Sequence, residues 1–200
     1  MTKCSGCKII RHNYNMYSSL IFPLEEVRKY KLEELMKNNI ILNENQINLK
    51  VKSLNENKVD IKDCFDYYQK VETFSGDNAM YCATCNNQLD ATNQTVLFSL
   101  PKILIIILSR GRGNQFKVKI KFGENLDLNN YSKNGGYYEL ISFITHLGEC
   151  DSTGHFIAAC KSPIDHQWYR YNDELVTRVY DINKEILDFG LPYILFYKKK

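Results

Sequence analysis

The stretch "GHFIAACKSPIDHQWYRYND", residues 154–173, decides how the chain is read. From His155 to Lys161 it is an apolar run of strand length, and around "WYRY" it is an aromatic run of the same kind. Between the two, "SPID" supplies the Pro and Asp that favour a turn. The whole predicts two adjacent antiparallel strands joined by a hairpin. That geometry sets His155, at the start of the first strand, beside Asn172 at the end of the second, with Asp173 next in line. A side-chain amide or carboxyl beside a histidine holds its ring in one tautomer for nucleophilic catalysis. A histidine opening a strand is more often a structural or exposed residue, so this pair alone leaves both readings open.

The rest of the chain bounds the answer. Apolar residues make up 44% and charged residues 24% of 200, close to the globular average, so one domain with a substantial core can form. The net charge of +3 is slight, and Lys and Arg are scattered among Asp and Glu apart from the terminal "KKK". No basic stripe points to nucleic acid. The longest apolar run, "ILIIIL" at 103–108, is far short of the roughly 18 residues that cross a bilayer. The opening "MTKCSGCK" lacks the apolar centre of a signal peptide. These features predict an intracellular chain, in cytoplasm or nucleus, with no membrane and no nucleic acid among its partners.

Local patterns predict an α+β unit with helices early and a sheet late. "PLEEVRKYKLEELMKNN" (23–39) has Pro at a helix start, acids in the first turn and apolar residues at helical spacing. "DIKDCFDYYQKVE" (60–72) predicts a second short helix, with Ile61, Cys64, Phe65 and Tyr68 at i, i+3, i+4 and i+7. The Asn-rich segment between them reads as an insertion with a short strand pair. "IIRHNYNMYSSLIF" near the start suggests an antiparallel strand. Later strands are expected in "QTVLFSL", "KILIIIL", "QFKVKIKF", "YYELISFITHL", "HFIAACKS", "QWYRYND" and "YILFYKK". "ILIIIL" is apolar on both faces and predicts a central strand, while the alternation of "KVKIKF" predicts a half-exposed antiparallel one.

Four of the seven cysteines form two C-x-x-C pairs, Cys4 with Cys7 and Cys82 with Cys85. Two such turns can complete a tetrahedral Zn²⁺ site with thiolates at about 2.3 Å. With 74 residues between Cys7 and Cys82, the metal would pin together strands distant in sequence. Loose cysteines or a redox pair are the alternatives, although a redox C-x-x-C usually comes singly in a βαβ unit, which is missing here. With all four positions filled by protein, such a zinc site would be structural.

At this point the residues carry a family resemblance. "YYELISFITHLGECDSTGHFIAACKSPIDHQWYRYNDELVTRV" (137–179) resembles the histidine box of the ubiquitin-specific proteases, papain-like deubiquitinating enzymes. "LPKILIIILSRGRGNQFKVKIKF" (100–122) is similar to that family's L-P-x-x-L-x-I-x-L-x-R-F strand and the basic strand after it. "DCFDYYQKVETFSGDNAMYCATC" (63–85) resembles the approach to its second zinc knuckle, "CSGC" the first knuckle, and "PYILFYKK" the closing strand. The resemblance spans nearly the whole chain, with 24–58 the least matched. It implies His155 as general base, Asn172 as the third triad member and Asp173 as a following acid that assists polarisation. It implies Cys4, Cys7, Cys82 and Cys85 as ligands of a structural zinc at the tip of a "fingers" subdomain that grips ubiquitin. On that reading residues 1–95 are fingers, with the insertion near 24–58, and 96–200 are the "palm"; ubiquitin and ubiquitinated proteins are the partners.

The chain departs from the family pattern in places. Phe156 stands where Tyr is usual, Ile107 where His is frequent, and Gly111 where Phe is usual. The larger departure is that no segment matches the glycine–asparagine cysteine box that opens the family's "thumb" helices. Cys160 is five residues along the same strand from His155, on the opposite face and about 17 Å away, so His155 does not readily activate it. Cys64 falls in the second helix and Cys150 in a polar turn. The expectation is a fingers-plus-palm part of a deubiquitinase, inactive by itself. A scaffold that binds ubiquitin without catalysis and a zinc-stabilised interaction domain are the alternatives. A sheet without thumb helices would expose apolar surface on its thumb-facing side, which predicts self-association.

Overall fold

The structure is a computed structural model that describes residues 1–38, 58–113, 117–148, 153–184 and 190–200. The strand pair expected within 39–57 and the turn expected at Cys150 lie outside the described residues. The chain begins with β1 (Thr2–Cys4), β2 (Ile10–Arg11), β3 (Leu20–Pro23), α1 (Leu24–Asn38), β4 (Lys58–Asp60) and α2 (Ile61–Tyr68). Short strands follow: β5 (Val71–Phe74), β6 (Met80–Cys82), β7 (Asn87–Leu89) and β8 (Ala91–Gln94). Then come β9 (Ile103–Ser109), β10 (Lys119–Lys121), β11 (Asn125–Asp127) and β12 (Tyr137–Leu147). The chain closes with β13 (His155–Lys161), β14 (Trp168–Asn172), β15 (Leu175–Val179) and β16 (Leu191–Lys199).

Both expected helices form. Helix α1 starts directly after Pro23, with Glu25 and Glu26 in its first turn, where carboxylates complement the helix dipole. Helix α2 is shorter than the pattern suggested. Asp60 caps it by accepting the Lys62 N–H at 3.0 Å, and Asp63 reaches back to the Asp60 N–H at 2.6 Å. Beyond Gln69 the β-branched Val71 leaves the helix and pairs with Gln94 of β8. The buried face of α2 is Ile61, Cys64 and Phe65, as its spacing predicted.

Among the described residues the main sheet has the order β15-β14-β13-β12-β16-β9-β3, with β11 added against β12. Strand β9 is central, as expected, lying between β16 and β3. Only one of its faces is buried: Leu104, Ile106 and Leu108 are within the core, while Ile103 is exposed. Two pairings differ from the antiparallel strands expected in "IIRHNYNMYSSLIF" and "KVKIKF". Strand β3 runs parallel to β9, and β10 runs parallel to β4 rather than against an antiparallel neighbour. Alternation along "KVKIKF" was still correct, with Val118, Ile120 and Phe122 buried. Alternation reports which face is buried and carries no information on strand direction. "QTVLFSL" contributes only Gln94 to a strand, and the polar Ala91–Gln94 is the real one. "IIRHNYNMYSSLIF" is two short strands separated by irregular chain.

The core lies between one face of the main sheet and helices α1 and α2. Phe22 of β3 meets Phe65 of α2 edge-on, with ring centroids 5.1 Å apart, and Phe143 of β12 meets Phe122 at 5.8 Å. Full burial of each such ring stabilises by about 2–3 kcal/mol. Tyr138 and Tyr197 are also fully buried, and each hydroxyl donates to a backbone carbonyl, of Pro101 at 2.6 Å and Gly123 at 2.8 Å. On the far face, the register lines up Ile21, Ile107, Ile194, Ile144, Ala158, Tyr171 and Val176 as one row across seven strands. Ile21, Tyr171 and Val176 in that row are exposed. No helix among the described residues is long and apolar enough to cross a membrane.

Candidate active site and metal centre

The expected hairpin is present. Strands β13 and β14 pair from Lys161↔Trp168 to Ala158↔Tyr171, and one further step faces Asn172 with Ile157. His155 lies two residues before Ile157 and so points to the same face as Asn172, one diagonal step away. The imidazole Nε2 and Asn172 Oδ1 are 2.6 Å apart. An amide oxygen only accepts, so Nε2 carries the proton and donates it, and Nδ1 is left with the free lone pair. Asp173 is next to them, its Oδ2 3.6 Å from Nε2. It occupies the turn into β15 with φ of +50°, a conformation Asp tolerates better than most residues. With its side chain 79% exposed, Asp173 supplies nearby negative charge while Asn172 makes the direct bond.

Cys160, on the same strand as His155, has its Sγ 3.1 Å from Ser142 Oγ across the β12–β13 pair. Cys64 is fully buried in α2, and loss of solvation pushes its thiol well above the usual range. His12 stacks on Tyr14, and His166 sits in the hairpin turn with φ of +58°. His146 is on β12, whose Leu147 pairs with His155. Sequence reasoning passed over two residues nearby. Arg110 is buried, and its guanidinium donates to the carbonyls of Pro192 at 2.8 Å and Val118 at 2.5 Å. Burial pulls its pKa down to about 10. Gly154 is the second: a Cβ there would fall 2.1 Å from the His146 ring. The "THLG" and "GH" spacings were the available signal for Gly154, and the R of the L-P-x-x-L-x-I-x-L-x-R-F strand pattern was the signal for Arg110.

The cysteines converge at the far end of the smaller sheet, whose order is β2-β1-β8-β5. Cys4 ends β1 and Cys82 ends β6, and the C-x-x-C turns carry Cys7 and Cys85. Pairing of Cys4 with Ala91 of β8 brings the two knuckles together, because β8 directly follows the β6–β7 hairpin. The residue after each second cysteine, Lys8 and Asn86, has a positive φ, 60° and 53°, so both knuckles use the same turn. Gly6 fits between them. A Cβ there would meet Leu89 Cδ1 at 2.8 Å and Cys85 Sγ at 3.3 Å. All four sulfurs lie within 4.8 Å of one another, with Cys4–Cys85 at 4.0 Å and Cys7–Cys82 at 3.8 Å. A tetrahedral ion with thiolates at about 2.3 Å needs sulfurs about 3.8 Å apart, so the four cysteines can hold a metal ion. The backbone N–H of Cys85 draws the Cys82 thiol down to about 6.

Comparison with known proteins gives the family and the fold. The sequence model of the ubiquitin carboxyl-terminal hydrolase family matches residues 24–197. Ubiquitin carboxyl-terminal hydrolase 48 of Gallus gallus is 34% identical over 129 residues, which are 60% of this chain and 12% of that protein. Ubiquitin carboxyl-terminal hydrolase Usp2 of Drosophila melanogaster is 28% identical over 145 residues, 68% of this chain and 15% of its own length. The match thus occupies a small part of these relatives. Among solved structures, the yeast SAGA deubiquitinating module gives a TM-score of 0.70 at 22% identity, covering 100% of this chain and 39% of that one. A SAGA module bound to monoubiquitin gives 0.71 at 22% identity, with the same coverage. The two solved structures share the fold with this chain, and the family match over 24–197 establishes that the chain belongs to the ubiquitin carboxyl-terminal hydrolase family.

Proposed function

We propose that this chain is the fingers-and-palm portion of a deubiquitinase, with residues 1–95 as fingers, 96–200 as palm, and the nucleophilic thiol on a thumb segment outside these residues. The observation that carries it is the 2.6 Å contact between His155 Nε2 and Asn172 Oδ1. It leaves Nδ1 as the lone-pair nitrogen on a side chain 43% exposed, able to take a proton from an incoming thiol. The thiolate attacks the carbonyl at the ubiquitin C-terminus, and His155 returns the proton to the departing lysine amine. Water then releases the acyl-enzyme, with His155 again as base. Asn172 holds the ring throughout, and Asp173 stabilises the imidazolium that forms. Cys4, Cys7, Cys82 and Cys85 hold a structural zinc that fixes the fingers tip. Ubiquitin and its conjugates are the partners, in cytoplasm or nucleus. Self-association through the exposed thumb-facing surface belongs to the same proposal.

The test joins this chain to the upstream segment of its own reading frame and follows hydrolysis of a ubiquitin–fluorophore conjugate. The joined protein is expected to turn over, sensitive to a cysteine alkylator and abolished by His155→Ala, while the isolated chain binds ubiquitin without turnover. Alkylator-sensitive turnover by the isolated chain would overturn the assignment of the thiol. Retained turnover in His155→Ala would overturn the base. Ubiquitin binding by a joined protein that never hydrolyses would make it a scaffold.

A further inference from the structure

We propose that His146 is a positioning residue for His155, acting through the backbone of Gly154; the consequence for catalysis rests on the reading of His155 as the base. His155 forms the last rung of the β12–β13 ladder, opposite Leu147. Ladder ends fray unless something outside the ladder holds them. The next rung pairs His146 with Phe156, so the His146 ring lies on the opposite face from the His155 ring.

What the His146 ring does meet is the chain just before His155. A Cβ built on Gly154 would fall 2.1 Å from both Cε1 and Nε2 of His146 and 2.6 Å from the Leu147 carbonyl. The imidazole therefore fills the space a side chain would need. Gly148, at the other end of the same connection, is equally constrained. Its Cβ would meet the Thr153 carbonyl at 2.7 Å, His146 Cε1 at 3.0 Å and Gly154 Cα at 3.1 Å. Gly190, with φ of +70°, lies against the His146 backbone, where a Cβ would come 2.4 Å from its carbonyl oxygen.

The ring itself is fixed from the sides. Phe156 meets it edge-on at 4.9 Å between centroids, Tyr193 packs at 5.9 Å, and those two rings contact each other at 5.1 Å. With only 5% of its surface exposed, His146 is a wedge held by two aromatics and seated in the notch that Gly148 and Gly154 leave. Displacing the wedge lets Gly154 move, and Gly154 is covalently next to the Cα from which the catalytic imidazole reaches Asn172. A contact of 2.6 Å leaves little tolerance for such movement.

The test uses the ¹⁵N-labelled full chain and long-range nitrogen–proton correlations of the His155 ring at about pH 8.5, where histidine is neutral. Wild type is expected to show a single Nε2–H tautomer. His146→Ala is expected to lose it to a mixture, and His146→Phe, which keeps a ring in the notch, to retain it. Gly154→Ala, whose methyl group would displace the His146 ring, is expected to lose it as well. A His146→Ala chain with a lowered Tm but an unchanged His155 tautomer would reduce His146 to a structural residue and overturn the proposal. Should the single variants fold poorly, the wild-type chain still decides: absence of a cross-relaxation peak between His146 Hε1 and Gly154 Hα would also overturn it. None of these readouts involves ubiquitin. A locked tautomer in a joined protein that fails to hydrolyse would reject the proposed function and leave the positioning role intact.

Discussion

Replacing Phe22 by alanine tests whether β3 completes the main sheet. Phe22 is 0% exposed and lies edge-on to Phe65 at 5.1 Å and Tyr68 at 6.0 Å. Truncating a fully buried Phe costs about 3–5 kcal/mol, from lost transfer free energy and the cavity left behind. Its neighbour Ile21 points to the opposite face and is 56% exposed, so Ile21→Ala should cost under about 1 kcal/mol. With a urea dependence of about 2 kcal/mol per M, the unfolding midpoint should fall by about 1.5–2.5 M for Phe22→Ala and by less than about 0.5 M for Ile21→Ala. Urea titration followed by circular dichroism reads both. The contrast is what matters, because the two residues are adjacent and share local propensity. Equal shifts would mean that β3 is not seated parallel to β9 with Phe22 inward, and the link between the cysteine-bearing sheet and the main sheet would need redrawing.

Three further outcomes are expected. Cobalt(II) should bind one-to-one with thiolate charge-transfer absorption, and any one of Cys4→Ser, Cys7→Ser, Cys82→Ser or Cys85→Ser should weaken it sharply; unchanged absorption in these variants would exclude a four-cysteine site. The Tyr169 hydroxyl, 2.7 Å from Asp165, helps pull that carboxyl down to about 2, and Tyr169→Phe should raise it toward about 4 by NMR titration. Because the folded value is the lower one, stabilisation from this pair is present above about pH 4 and is lost as pH falls toward about 2. Cys64 should resist iodoacetamide at neutral pH while folded and react once unfolded, read by mass spectrometry; rapid labelling of the native chain would contradict its burial.

Residues 154–173 show how far local pattern carries. Strand length, turn chemistry and the seventeen-position offset were enough to place Asn172 beside His155, because a tight hairpin leaves few registers. The start of the second helix was close to its observed place, where Asp60 and Asp63 form a cap from residues three apart, but its end at Tyr68 came before the expected 72. The C-x-x-C turns announced thiolate pairs at fixed local spacing. Each of these is settled within a few residues, where propensity, capping and alternation act.

Tertiary structure decided which distant segments meet. No local feature says that β3 runs parallel to β9 or β10 to β4, since direction depends on how the intervening chain returns. The two knuckles close into one cluster only because β1 pairs with β8, from Cys4↔Ala91 to Thr2↔Asn93. The need for glycine at 154 follows from the His146 ring lying against it, a contact made by strand pairing and aromatic packing together. The sequence by itself determined the elements and the chemical groups on them. Their partners, and therefore the site, were decided by burial in a shared core, which depends on the whole chain at once.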